Sequence, residues 1–402
     1  MKRSAKRKPA GSMNIIREIP LSRPDITDTD RELVLETLRT PHLSLGPRLT
    51  EFEKKFSNYL GVKHAIAVNS GTSALHLCVK ALGLQDEDLA ITTPFSFVAS
   101  ANCLLFERAR PVFVDIDPDT LNVDVEKLEE KVRLLRRKGG RKSTALKAIL
   151  PVHVFGRPCD MTTIMDIAKR YDLRVLEDSC EALGTKLRIS RGAWKKAGTF
   201  GDCAAFGFYP NKQMTTGEGG IIATNDDAIA ANCRSLRNQG RSETATWLQH
   251  ERLGFNYRLS DINCALGIGQ LARLEDMIAK RARVAGWYGE RLKGIEDIEV
   301  PEPRDGERIS WFVYVVRIGR RFSRADRDRI LAGLRAKGIA CGNYFTPIHL
   351  QPFYRKSYEF RRGDFPVTER TSERTIALPF FNRLGQAQVD RVCDELRRLL
   401  GV

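Results

Sequence analysis

The chain has 402 residues, 42% hydrophobic and 29% charged, a balance that excludes a low-complexity or fibrous protein and exceeds one comfortable core. It holds no apolar run of 18 residues, and no hydrophobic stretch follows the basic N-terminus, so neither a helical membrane span nor a secretory signal is indicated and a cytoplasmic protein is expected. The net charge of +16 raises nucleic acid as a partner, but neither basic cluster, Lys2 to Lys8 or Arg133 to Lys142, is interleaved with aromatics for base stacking.

In chain order, apolar residues at helical spacing predict helices over Thr27 to Leu38 and Leu49 to Tyr59, before a strand over Ala65 to Val68. Alternation follows: helix Ser73 to Ala81, strand Leu89 to Thr93, helix Ser96 to Phe106, strand Pro111 to Asp115 and helix Asp124 to Leu135. Strand Ala148 to Val152, helix Met161 to Arg170, strand Leu173 to Glu177 and strands around Ala204 and Ile221 complete a βαβ series. This predicts a mostly parallel seven-stranded sheet. One long helix, Asp261 to about Lys293, is expected to bridge into a smaller α+β part with strand Phe312 to Ile318, helix Arg324 to Lys337 and closing helix Gln386 to Leu400. The expected fold class is α/β, with a disordered basic tail over residues 1–12, a large domain over 13–270 and a small C-terminal domain over 271–402.

Nine cysteines, an odd number without a Cys-x-x-Cys pair, fall mostly inside apolar runs, so reduced and buried thiols are expected. Neither they nor His42, His64, His76 and His250 have metal-ligand spacing, and no metal is expected.

Two polar residues stand where strand-like runs break into turns. Leu173 to Glu177 ends at Asp178, and Asp202 to Phe208 runs into a loop holding Lys212. Open α/β sheets bind ligands at such strand ends. Pyridoxal phosphate needs a lysine for a Schiff base and a carboxylate on its pyridinium nitrogen, because the protonated ring is the electron sink. Upstream, Ala67 to His76 reads as a strand, a Gly-Thr turn and a helix, and a helix N-terminus with free amides is an anion site. Gly71 lets backbone approach a phosphate there, while Ser70 and Thr72 offer hydroxyl donors. On these residues alone, Asp178 could equally cap a turn, Lys212 be one of many surface lysines, and Ser70 be a helix cap.

Seven stretches decide between these readings: Asn69-Ser-Gly-Thr-Ser-Ala-Leu75, Thr93-Pro-Phe-Ser-Phe-Val-Ala-Ser100, Pro151-Val-His-Val-Phe-Gly156, Glu177-Asp-Ser-Cys-Glu-Ala-Leu-Gly184, Phe208-Tyr-Pro-Asn-Lys-Gln-Met-Thr-Thr-Gly-Glu-Gly-Gly220, Gly254-Phe-Asn-Tyr-Arg-Leu-Ser260 and Tyr344-Phe-Thr-Pro-Ile-His-Leu-Gln-Pro-Phe-Tyr354. In order and spacing the chain resembles, from about residue 19 onward, the DegT/DnrJ/EryC1/StrS family of sugar aminotransferases.

The resemblance implies a fold-type I enzyme dependent on pyridoxal 5′-phosphate, with Lys212 binding the cofactor and moving protons and Asp178 on the ring nitrogen. It implies Phe97 stacked on the ring, Thr72 and the Gly71 amide at the phosphate, and Asn256 supplied to that phosphate by the other subunit of a homodimer. Three positions depart from the common pattern. Gly207 replaces a phosphate-binding serine, Glu181 replaces a glutamine that bonds the ring's 3-oxygen, and Tyr209 replaces a histidine and is expected to line the substrate pocket. His153, His349 and Tyr344 stand in motifs that could touch the sugar. The implied reaction is a ping-pong transfer from L-glutamate to a nucleotide-linked keto-sugar, such as a 4-keto-6-deoxyhexose, for polysaccharide or glycoside synthesis. The alternatives are transfer to a free cyclic ketone, of the inosose or aminohydroxybenzoate type, and a non-enzymatic ligand sensor.

Overall fold

A computed structural model describes residues 18–137, 145–189, 192–241 and 249–402. The expected tail over residues 1–12 and part of the second basic cluster lie outside them. The chain forms α1 (Asp28–Leu38), α2 (Pro47–Leu60), β1 (His64–Val68), α3 (Gly71–Ala81), β2 (Leu89–Thr92), α4 (Ala99–Leu105), β3 (Arg110–Phe113), α5 (Val125–Arg137), β4 (Leu146–Ile149), α6 (Met161–Arg170) and β5 (Arg174–Asp178). A short hairpin, β6 (Lys186–Arg188) and β7 (Trp194–Lys196), precedes β8 (Cys203–Gly207), β9 (Gly220–Thr224) and α7 (Asp227–Arg237). Then come α8 (Asp261–Ala272), α9 (Leu274–Leu292), β10 (Ile298–Glu299), β11 (Glu307–Arg308), β12 (Tyr314–Ile318), α10 (Arg324–Ala336), α11 (Pro352–Tyr358), α12 (Pro366–Ser372), β13 (Thr375–Leu378) and α13 (Gln386–Leu400).

The large sheet has seven strands in the order β1-β9-β8-β5-β4-β2-β3. Its pairings are parallel except where β9 meets β8 and β1, so β9 alone runs against the rest. Both faces are covered, which is why the strands read as unbroken apolar runs. Ile66, Val68 and Leu176 face the helical layer of Leu75 and Leu77, while Ala65, Ala67, Ala204 and Phe206 face Phe52 and Phe56 of α2. Among the described residues no helix is long and apolar enough to cross a membrane.

The C-terminal part is built on the antiparallel sheet β10-β12-β13, with Tyr288, Tyr314, Val316, Ile376 and Leu396 in its core. Ile19 belongs to this core although it precedes α1. Its N–H donates to Gly338 O (2.8 Å), Ala340 N–H donates to its carbonyl (3.0 Å), and Phe380 N–H donates to Leu21 O (2.8 Å).

The single bridging helix expected from Asp261 is two helices, broken at Arg273, whose backbone sits at φ −111° and ψ 8°. The cause is tertiary: the Arg273 guanidinium donates to Asp25 O (2.9 Å) and to the buried carboxylate of Asp30 (2.8 Å). Beyond the break, Leu274 and Met277 pack into the large-sheet core, and Val284, Tyr288 and Leu292 into the C-terminal core. One helix therefore carries residues of both units.

Candidate active site

Strand pairing creates the site. β5 and β8 are adjacent and parallel, with Asp178 opposite Ala205, so the residues leaving both strands emerge at one end of the sheet. Asp178 is 5% exposed. Ser100 Oγ donates to its Oδ2 (2.8 Å) and Cys180 N–H to its Oδ1 (3.1 Å), which fixes the carboxylate while leaving lone pairs for another donor. Lys212 closes a turn by donating its N–H to Tyr209 O (2.9 Å). Its ammonium lies 3.6 Å from Glu181 Oε1 and 3.9 Å from the centroid of the Phe312 ring. A cation over an aromatic face and beside a carboxylate is held without being neutralised by a direct hydrogen bond.

Glu181 is buried beside this amine and accepts from Phe155 N–H (2.9 Å). Burial lifts its carboxyl above the usual carboxylate range, and the Lys212 ammonium and the Phe155 amide pull it back. Burial likewise pushes the Cys180 thiol well up, so it is no thiolate nucleophile. Tyr344 is raised above its usual value by burial, then by Glu181, with Asn211 opposing.

Opposite the pair stands the N-terminus of α3, and β9 keeps it there: a Cβ on Gly220 would come within 2.4 Å of Ser70 O. Gly71 opens the helix, and a Cβ there would lie 3.0 Å from Cys180 Sγ and 3.2 Å from Gly207 Cα. Ser70 lines the cleft, but its hydroxyl is committed. It accepts from Ser73 N–H (3.0 Å) as the helix cap and lies 2.9 Å from Ser73 Oγ, which itself donates to Asn69 Oδ1 (2.7 Å). The Ser70 hydroxyl thus serves as the helix cap and bonds Ser73 while still lining the cleft. Thr72 also lines the cleft, and among the described residues its hydroxyl has no partner, so the free hydroxyl at this helix end is Thr72.

The cleft between these elements has a volume of about 1230 Å³. Phe97 (62% exposed) and Tyr209 (53% exposed) stand in its wall rather than in the core, and Tyr344, Glu181 and Gly207 line it as well. Phe312, Asn211 and Ser100 line it without having been singled out from sequence. Ser100 lies in a quoted motif, whereas nothing local marks Phe312.

Two expected sugar contacts are corrected. His153 is 0% exposed, donates from Nε2 to Glu177 (3.0 Å) and accepts Cys159 N–H at Nδ1 (3.0 Å). Glu177 also takes the N–H groups of Gly198, Phe200 and Gly201, so this histidine completes a buried structural carboxylate site. His349 is also 0% exposed and bonds Glu369 (3.0 Å). Neither reaches the cleft. Asn256 is exposed and does not line its own chain's cleft. Its neighbours Phe255 and Tyr257 stack at 5.0 Å and pack on His76, so strand-like alternation turns Asn256 outward.

These residues fit pyridoxal phosphate. The carboxylate fixed by Ser100 suits a pyridinium N–H, the Lys212 amine suits covalent attachment, and the α3 amides, with a glycine where a Cβ would fill the space, suit the phosphate.

The sequence profile of the DegT/DnrJ/EryC1/StrS aminotransferase family matches residues 24–397. GDP-perosamine synthase of Caulobacter vibrioides is 38% identical over 392 residues, covering 96% of this chain and all of that one. A DegT DnrJ EryC1 StrS aminotransferase from Brucella abortus has the same fold, with a TM-score of 0.84 and 34% identity over 93% of this chain and 96% of that one. Helicobacter pylori PseC, an aminotransferase involved in the biosynthesis of pseudoaminic acid, superposes with a TM-score of 0.86 at 28% identity, covering 96% of this chain and 100% of its own. The chain therefore belongs to the DegT/DnrJ/EryC1/StrS aminotransferase family and is an aminotransferase dependent on pyridoxal phosphate.

Proposed function

We propose that this aminotransferase moves the amino group of L-glutamate to a nucleotide-linked keto-sugar, a 4-keto-6-deoxyhexose, in two half-reactions at one cleft. The size of the cleft carries the reading: about 1230 Å³ exceeds what most small-ligand sites enclose, roughly 300–1,000 Å³, and leaves room for a bulky substrate above the cofactor. The name of the Caulobacter relative supports a GDP-linked sugar as the first to try.

Bound at this site, the cofactor supplies the electron sink. Asp178, held by Ser100 and Cys180, accepts the ring N–H and keeps that nitrogen protonated. Lys212 would hold the cofactor covalently, and its free Nζ amine would serve as the base and acid that moves the proton of the donor's α-carbon. Phe97 would stack on the cofactor ring, and Thr72 with the Gly71 amide would hold its phosphate.

Among the described residues the cleft is lined by one cation, Lys212, against Asp178, Glu181 and Glu218, while cofactor and nucleotide both bring phosphates. This imbalance supports a homodimer in which each subunit completes the other's site, with the outward Asn256 reaching across. The test is a panel of GDP-, UDP- and dTDP-linked keto-sugars beside free inosose, with glutamate as donor and 2-oxoglutarate measured. Transfer to a nucleotide-linked keto-sugar, lost in Lys212→Ala, is expected. Transfer to the free ketone alone would overturn the substrate, and a requirement for another amino acid would overturn the donor.

A further inference from the structure

Arg281 of α9 is 2% exposed, and among the described residues no carboxylate bonds it. Its Nη2 donates to Lys212 O (2.8 Å) and Asn211 O (3.4 Å), and its Nη1 to Phe312 O (3.1 Å). Arginine is almost never buried unless paired, so a buried guanidinium spent on three carbonyls is costly and calls for a reason. Burial pushes its pKa down to about 10, with Asp25 opposing, so it stays charged at neutral pH. The three carbonyls share one purpose. Two belong to the turn that presents the Lys212 amine, and the third to the residue whose ring lies under that amine at 3.9 Å. A planar fork can hold segments from both units at fixed spacing, which a point donor cannot.

We propose that Arg281 is a positioning residue: it pins the Lys212 turn to Phe312, so that the amine and the ring beneath it move as one piece. The proposal rests on Lys212 being the cofactor lysine. Borohydride reduction of the holoenzyme with peptide mass analysis tests that reading separately, since a cofactor trapped on another lysine would sink the site assignment itself. With the cofactor on Lys212, Arg281→Met and Arg281→Lys holoenzymes are compared with the parent. We expect kcat of the glutamate half-reaction to fall about 10²-fold in Arg281→Met, the effect of a misplacement near 1 Å. KM for glutamate should change less than about threefold, because substrate binding does not depend on the pin. The visible circular dichroism of the bound cofactor, which reads its fixed orientation, should weaken. Arg281→Lys, charged but unable to span three carbonyls, should lie between. In cofactor-free Arg281→Met, amide exchange should quicken in peptides over residues 208–216 and 310–314 and not elsewhere. A folded Arg281→Met with parental kcat and dichroism would overturn the proposal, as would kcat falling only in step with the folded fraction. Should Arg281→Met not fold, Arg281→Lys decides: parental kcat and dichroism overturn it, and a selective loss of kcat upholds it.

Discussion

Gly71 and Gly207 face each other across the Cys180 thiol, and only one of them has to be glycine. A Cβ on Gly71 would press on Cys180 Sγ and on backbone, whereas a Cβ on Gly207 would meet nothing closer than 3.5 Å. Gly71→Ala should therefore weaken cofactor binding. Gly207→Ser should fit and add a hydrogen bond to the phosphate worth about 1 kcal/mol, a roughly fivefold lower Kd by fluorescence titration. Unchanged affinity in Gly207→Ser would place the phosphate elsewhere. His76 and His349 give a second prediction. Burial holds both below the ordinary histidine value of 6.5, against the pull of Glu107 and Glu369. The unfolded chain then binds more protons than the folded one just below pH 6.5, so stability rises with pH through that window and is lost on acidification. Urea midpoints should fall between pH 7.5 and 5.5, and His349→Gln should flatten the slope. At this scale the placement of Asp178 and Lys212 in one cleft was legible because strand ends and flanking motifs mark them. His153 was not, because its partner Glu177 lies on a neighbouring strand and only the folded sheet shows which way the ring turns.

Among the elements, α2 shows how a distant helix supports the chemistry. Phe56 is buried against Phe52, Phe206 and Phe208, with ring centroids 5.3 to 6.3 Å apart, and Phe208 begins the loop that carries Lys212. Phe56→Ala should cost about 3–5 kcal/mol, seen as a lower thermal midpoint, with cofactor retention failing before global unfolding. Amphipathic helices and continuous apolar strands were readable because burial sets their period. The hairpin β6–β7 was not, being two three-residue strands of mostly basic character that borrow order from β11. The break at Arg273 was equally invisible, since no glycine or proline marks it and its cause lies in Asp25 and Asp30, far back in the chain.

For the whole molecule, the proposed exchange of Asn256 between subunits predicts complementation. Lys212→Ala and Asn256→Ala should each be impaired as homodimers. Mixed dimers would contain one site with both defects and one with neither, so co-refolding should recover turnover that neither parent shows. Additive activities without recovery would mean that each subunit works alone. The α/β architecture was legible because alternating βαβ segments admit few topologies. No sharp boundary marks the expected division at residue 270, because α9 serves both cores and Ile19 crosses to the far one. That crossing has a temporal meaning. As the chain leaves the ribosome, residues 18–21 emerge more than 300 residues before the partners of Ile19 and Leu21, Gly338 through Phe380. Leu21 packs with Phe312 and Tyr344, so the wall that faces Lys212 can close only after the start of the chain has been recaptured by its finish. A chain that has completed its parallel sheet therefore still lacks the closed wall of the cleft until residues 338–380 have docked on residues 18–21.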